Sequence, residues 1–184
     1  MIPDPNSTAK YWQWILAKSR DENPLVNGEI NIDKFIALPC TGGGEDCGRV
    51  VDLFEENAYK NILIPIYCAE YCTAEISDPQ PTDQKILQTL RADVCSPVFM
   101  ECVVDGHRVE PYYVESAPFD IIVPANNMLD GNPPAGTYRA MAAGYWHLLK
   151  PLPSGKHVIT FGGTGKNGFH TKVQYILNVR QNPE

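Results

Sequence analysis

Phe169-His170-Thr171-Lys172-Val173-Gln174-Tyr175-Ile176-Leu177-Asn178-Val179 alternates in character along its whole length. Phe169, Thr171, Val173, Tyr175, Leu177 and Val179 fall on one side, and His170, Lys172, Gln174 and Asn178 on the other. Successive side chains of a strand point to opposite faces, so the run predicts a strand with one buried and one solvated face. Two shorter period-two runs precede it, Tyr145-Trp146-His147-Leu148-Leu149 and His157-Val158-Ile159-Thr160-Phe161. The separators are Pro151-Leu152-Pro153-Ser154-Gly155 and Gly162-Gly163-Thr164-Gly165-Lys166-Asn167-Gly168, both rich in turn formers. Three such runs in succession predict an antiparallel meander.

Upstream segments fit the same class. Phe35-Ile36-Ala37-Leu38 is a short strand ended by Pro39, and Asn61-Ile62-Leu63-Ile64-Pro65-Ile66-Tyr67 has the continuous apolar character of a strand covered on both sides. Val98 to Val104 runs into Asp105-Gly106, a strong hairpin turn, and returns through His107-Arg108-Val109. Asp105 is thus a turn residue first. Pro118 to Pro124 reads as another strand, and Ala125 to Gly136 as a long surface loop. Two helices are expected. One begins at Ser7 or Thr8 and buries Tyr11, Trp12, Ile15 and Leu16; the other starts at Pro81-Thr82-Asp83-Gln84 with Ile86, Leu87, Leu90 and Val94 on one face. Trp12 and Trp14 lie about 200° apart on a helix, so they form no joint stacking platform.

Composition narrows the partners. The chain has 184 residues, 43% of them hydrophobic, enough for one well-filled core. Fifteen basic against 22 acidic side chains leave a formal charge of −7 with no basic block, which argues against nucleic acid and anionic membrane surfaces. No apolar run has the length needed to cross a bilayer, so a soluble protein without membrane insertion is expected. Six cysteines in a chain with 14 Gly and 16 Pro favour an oxidising compartment. Cys40 and Cys47 flank a glycine-rich loop that can bring them within disulfide reach, the most plausible local bridge. Cys68 and Cys72 would stand about 13 Å apart on a continued strand and cannot bond each other, so Cys95 and Cys102 are their candidate partners.

The order Tyr11-Trp12-Gln13-Trp14, Asn23-Pro24, Ile64-Pro65, Cys72-Thr73-Ala74-Glu75, Val104-Asp105-Gly106, Gly144-Tyr145-Trp146, Lys150-Pro151-Leu152, Gly155-Lys156-His157 and Phe161-Gly162-Gly163 resembles that of a group of uncharacterised bacterial proteins, mostly predicted to be exported. The resemblance spans nearly the whole chain and is most specific from Gly144 to Gly163. It implies a fold and a secreted or periplasmic location, with no assigned reaction. His147 stands where that group has an apolar residue, and the cysteines here are more numerous.

Few residues are arranged for chemistry. Gly165-Lys166 fails as a P-loop, because Thr160 replaces the first glycine, Asn167 replaces the magnesium-binding Ser or Thr, and a strand follows. No Gly-x-Ser-x-Gly elbow, His-Glu-x-x-His or Cys-x-x-Cys is present. If Leu149 pairs with His157, His147 lies diagonally beside it, and a third ligand such as Glu75 or Asp120 would complete a metal site. Otherwise His157 is a buried imidazole bonded to backbone or to a carboxylate. If the glycine-rich loop joins a hairpin, Phe161 faces Phe169, Thr160 faces His170 and His157 faces Val173. Tyr113, Tyr145 and Trp146 are the candidate ligand contacts, since one of each adjacent aromatic pair on a strand should point outward.

These readings predict a mainly β protein, an antiparallel β-sandwich of immunoglobulin-like or jelly-roll type with two short helices. One domain spans 1–184, with an N-terminal helix and loop over 1–30 and a sandwich over 31–184 interrupted by a helical insertion near 82–94. The leading expectation is an exported, non-catalytic binding or interaction module without a cofactor, whose partner is a carbohydrate or another protein. The alternative is a metal-dependent enzyme using His147, His157 and Glu75.

Overall fold

A computed structural model describes residues 1–39, 46–54, 57–78 and 80–180. Asp4 accepts the Asn6 amide and Pro5 occupies the first turn, so helix α1 (Pro5–Leu16) is capped three or four residues ahead of the expected Ser7 or Thr8. The fixed φ of proline suits a helix start, and the Asp4 carboxylate satisfies an otherwise orphaned N–H. A 3₁₀ turn (Arg20–Glu22) and the short helix α2 (Pro24–Asn27) follow. The second expected helix is α3 (Asp83–Val94), capped by Thr82 through the Lys85 amide.

Eleven strands form two sheets among the described residues. Sheet A contains β1 (Asn31–Ile32), β2 (Phe35–Ala37), β4 (Asn61–Cys72), β9 (Gly136–Leu149), β7 (Tyr112–Glu115) and β8 (Phe119–Val123), with the last two sharing the far edge of β9. Sheet B runs β3 (Asp46–Phe54), β11 (His170–Arg180), β10 (Gly155–Thr164), β5 (Phe99–Val104), β6 (His107–Arg108). Most pairs are antiparallel; β2 with β4 and β3 with β11 are parallel. The architecture is a mainly β, two-sheet sandwich with short helices.

The facing sides of the sheets bury Ile36, Ile62, Ile64 and Ile66 against Ile159, Phe161, Val173, Tyr175, Leu177 and Val179. Sheet B ends before sheet A does, and α3 closes the remainder by setting Ile86, Leu90 and Val94 on Tyr67, Met141 and Ala143. The opposite face of sheet A is covered too, by Tyr11, Ile15 and Leu16 of α1 over Leu63, Cys72 and Trp146. The centre of sheet A is therefore buried on both faces, as the run from Ile62 to Tyr67 shows. Among the described residues no helix covers the outer face of sheet B, and His170, Lys172 and Gln174 are exposed on it.

The meander is not formed. Tyr145 to Leu149 lies in sheet A and His157 to Phe161 in sheet B, so Leu149 pairs with Ile62 and not with His157. Pro151 and Pro153 cannot donate to a ladder, and that linker crosses between the sheets instead of turning a hairpin. The β10–β11 hairpin does form, but Phe161 faces Val173, Thr160 faces Gln174 and His157 faces Leu177. Against the expected pairing this is a shift of four residues, and an even shift leaves every side chain on its expected face. Asp105 and Gly106 both take positive φ in the β5–β6 turn, as a two-residue hairpin of this type requires.

Candidate functional site

The three predicted ligand aromatics do not form one surface. Trp146 is fully buried, edge-on to Tyr11 at 5.3 Å, because α1 covers the face of sheet A on which it stands. It is a core residue, and the expectation that it contacts a ligand is corrected. Tyr113 and Tyr145 do meet, 5.3 Å apart across the β7–β9 pair. Their hydroxyls have protein partners. The Cys95 thiol donates to the Tyr113 oxygen at 3.1 Å, Tyr113 donates to Glu115 at 2.9 Å, and Tyr145 donates to the Cys95 carbonyl at 3.2 Å. Arg91 grips Glu115 through two bonds of 2.7 and 2.8 Å. This network ties α3 to sheet A, and burial and hydrogen bonding to Cys95 and Glu115 hold the Tyr113 phenol above its ordinary range.

The histidine metal site is not assembled either. His147 stands on sheet A, with Nδ1 donating to the Glu110 carbonyl at 2.6 Å, Nε2 3.3 Å from the Met1 nitrogen, and Tyr112 stacked on the ring. Burial pushes its pKa down, against the Glu110 bond. His157 stands on sheet B, its Nδ1 2.7 Å from Asp105 Oδ2 and its Nε2 2.9 Å from the Pro153 carbonyl. Both ring nitrogens face oxygen acceptors, so the ring acts as a clamp between the β5–β6 turn and the inter-sheet linker. Asp105 also accepts the Val158 amide at 2.8 Å. Burial works against the Asp105 charge, but the bonds from His157 and Val158 and the nearby histidine charges outweigh it and hold its pKa below the ordinary value. Asp120 lies on β8 at the far edge of sheet A.

Glu75 does belong to a cluster, though with other partners. Glu70, Cys72 and Glu75 present carboxylate and thiol atoms within 4.8 Å of one another, the one such group of His, Cys, Asp or Glu among the described residues. No disulfide joins the described cysteines, so the pairings of Cys68 and Cys72 with Cys95 and Cys102 are not made. Cys40 lies outside the described residues, and with it the expected bridge to Cys47.

A groove of about 560 Å³ lies on the outer face of sheet B. Cross-strand register builds it in three rows: Phe99–Thr164–His170, Glu101–Gly162–Lys172 and Thr160–Gln174–Gly48. Gly162 stands in the middle row because a Cβ there would come within 2.0 Å of the Thr171 carbonyl oxygen. Gly48, by contrast, faces open space. Two glycines therefore leave a low floor between taller side chains. Phe99 is 50% exposed at one end. Among the described residues the side chains of Thr160, Thr164, His170 and Gln174 have no protein hydrogen-bond partner, while Glu101 pairs with Arg108 at 3.2 Å. The groove thus offers one aromatic face, hydroxyl, amide and imidazole groups, and little net charge. Sequence reading placed His170, Lys172 and Gln174 on the solvated side but took that side for plain surface. The recess comes from glycines on the two strands that flank β11, and their positions beside it depend on register.

A second, mostly apolar hollow of about 330 Å³ lies between α1, β4 and the loop at Met128 and Leu129. No helix among the described residues is long and apolar enough to cross a membrane. Comparison with family profiles, with curated proteins and with solved structures finds no match for the chain.

Proposed function

We propose that this protein is a binding module that holds a carbohydrate in the groove on the outer face of its five-stranded sheet. The observation that carries the reading is Phe99, half exposed at the end of a glycine floor that it shares with four polar side chains without a hydrogen-bond partner among the described residues. A sugar ring has an apolar face of C–H groups and a rim of hydroxyls. An exposed aromatic ring supports the first, and Thr160, Thr164, Gln174 and His170 supply donors and acceptors for the second. Pockets for small molecules commonly combine an apolar surface with a few placed polar groups. The near-neutral lining suits an uncharged ligand better than a phosphate or a peptide of one charge sign. A location outside the cytoplasm belongs to the same proposal and rests on the resemblance to exported bacterial proteins.

A glycan array probed with the wild-type chain and with Phe99→Ala tests it. The expected result is a set of related glycans bound by the wild type, with affinity lowered about fivefold in the variant, the order expected for a lost stacking contact worth about 1 kcal/mol. An array without binding to the wild type, or equal binding by a folded Phe99→Ala protein, refutes the proposal.

A further inference from the structure

The far end of β4 and the turn after it bring two acidic groups and a thiol together. Pro65 and Tyr67 flank a register shift in the β4–β9 ladder, after which Glu70 and Cys72 pair with Ala142 and Ala140. Residues two apart on a strand share a face, so Glu70 and Cys72 project side by side. The chain then turns through Thr73 and Ala74, with the Thr73 amide held by the Arg139 carbonyl at 2.9 Å and the Glu75 amide by the Cys72 carbonyl at 3.1 Å. That turn folds Glu75 back until its Oε2 accepts the Cys72 amide at 2.8 Å. Three potential ligand atoms converge from a stretch of six residues.

Glu70 points to a missing partner. Its carboxyl group is almost wholly enclosed, and its Oε1 is shut off from solvent without any hydrogen bond. Among the described residues no Lys, Arg or His forms an ion pair with Glu70 or Glu75. A buried carboxylate in native structures is ordinarily paired, hydrogen-bonded or bound to a metal, and this one has neither of the first two on Oε1.

We infer that Glu70, Cys72 and Glu75 bind a thiophilic divalent cation of the zinc class. The thiol sets the class. Magnesium and calcium select oxygen donors alone, whereas zinc, cobalt and cadmium accept mixed sulfur and oxygen sets. Around a tetrahedral zinc with ordinary bond lengths, neighbouring ligand atoms stand about 3.4–3.6 Å apart. Atoms already within 4.8 Å of each other need move inward by only about 1 Å, which χ rotation of two glutamates can provide. Three protein ligands leave a fourth position for water or for a small ligand.

Binding is an exchange of protons for metal. The Cys72 thiol proton, which burial and Glu75 hold with a pKa of about 12, leaves to solvent as sulfur becomes a thiolate ligand. Glu70, pushed above the ordinary carboxyl range by burial and by Glu75, gives up its proton likewise when it is protonated. No oxidant or reductant takes part.

Cobalt(II) reports directly on this arrangement, because a thiolate ligand produces a sulfur-to-cobalt charge-transfer band and tetrahedral coordination produces intense visible bands. Full-length protein freed of metal with a chelator and titrated with Co²⁺ is expected to develop both spectra and to lose them on addition of Zn²⁺. Cys72→Ser is expected to abolish the charge-transfer band, and Glu70→Gln to weaken Zn²⁺ binding roughly tenfold or more. Cys47→Ser and Cys95→Ser should leave the spectra unchanged. Should Cys72→Ser not fold, Glu75→Gln retains an oxygen for the Cys72 amide and still removes a charged ligand, with the same expected weakening. A folded wild-type protein without the charge-transfer band overturns the inference. So does a band that survives Cys72→Ser, or Zn²⁺ binding undiminished in both Glu70→Gln and Glu75→Gln.

Discussion

Gly144→Ala should be among the most damaging small substitutions in this chain. Gly144 has φ of 146°, a region that L residues rarely adopt, and lies opposite Cys68 in the central β4–β9 ladder. A Cβ built there would stand 2.4 Å from the Cys68 Cα, 2.5 Å from its Cβ and 2.5 Å from the Tyr67 carbonyl oxygen. Two of those atoms are backbone, so no side-chain rotation relieves the clash. Backbone strain of about 1–3 kcal/mol and overpacking of about 1–3 kcal/mol give a loss near 4 kcal/mol, a large share of a typical domain's stability. With a urea slope of about 2 kcal/mol/M, the unfolding midpoint read by circular dichroism should fall by about 2 M. Gly48→Ala is the control, since its Cβ meets nothing within 4 Å; its midpoint should move by less than about 0.5 M. If Gly144→Ala unfolds within 0.5 M of the wild type, the close approach of these two strands is wrong, and with it the geometry of Glu70 and Cys72.

Three further outcomes are expected. Asp105 has a depressed folded-state pKa, so its contribution to stability is fully present above its ordinary value of 3.8 and is lost as pH falls through the folded value. Thermal melts between pH 2 and 5 should show this loss in the wild type and a shallower one in Asp105→Asn; equal slopes would refute it. Cys72 and Cys102 are buried with pKa values pushed up to about 12, chiefly by burial, so at pH 8 only roughly one thiol in ten thousand is ionised. Mass-mapped alkylation of the folded, metal-free protein should label the half-buried Cys47 and Cys95 and spare these two until denaturant is added, whereas labelling of Cys102 at the rate of Cys95 would contradict the core. Leu90→Ala empties a fully buried position between α3 and sheet A and should cost about 2–5 kcal/mol in urea titration, against less than 1 kcal/mol if α3 docks loosely.

Alternation made β11 legible from the sequence, and the even register shift in its hairpin left the buried row intact. Asp105-Gly106 fixed its own hairpin, and the apolar continuity of Asn61 to Tyr67 announced a strand covered on both faces. The same signal is present in β9. Its Ala140-Met141-Ala142-Ala143-Gly144 stretch lacks any polar alternation, which marks a strand buried on both sides and so buries Trp146. Period-two patterning says nothing of which sheet a strand joins, and so it sets His147 beside His157 although a two-proline linker carries the chain between sheets. Glu70 escaped notice because a glutamate is ordinarily exposed; the clue was the unbroken run from Asn61 to Cys72, which sets Cys68, Glu70 and Cys72 on one face. The groove was out of reach, since Gly48 becomes a neighbour of Gln174 only through a parallel pairing across more than a hundred residues, and Gly162 meets Lys172 only in the shifted hairpin register.

Gly48→Trp tests the proposed ligand surface most directly. Its Cβ meets nothing within 4 Å on an edge strand, and the indole projects from there over the groove floor beside Gln174. The account predicts an unchanged melting temperature and the loss of the glycan binding shown by the wild type. Undiminished binding by the folded variant would place the ligand elsewhere and contradict it.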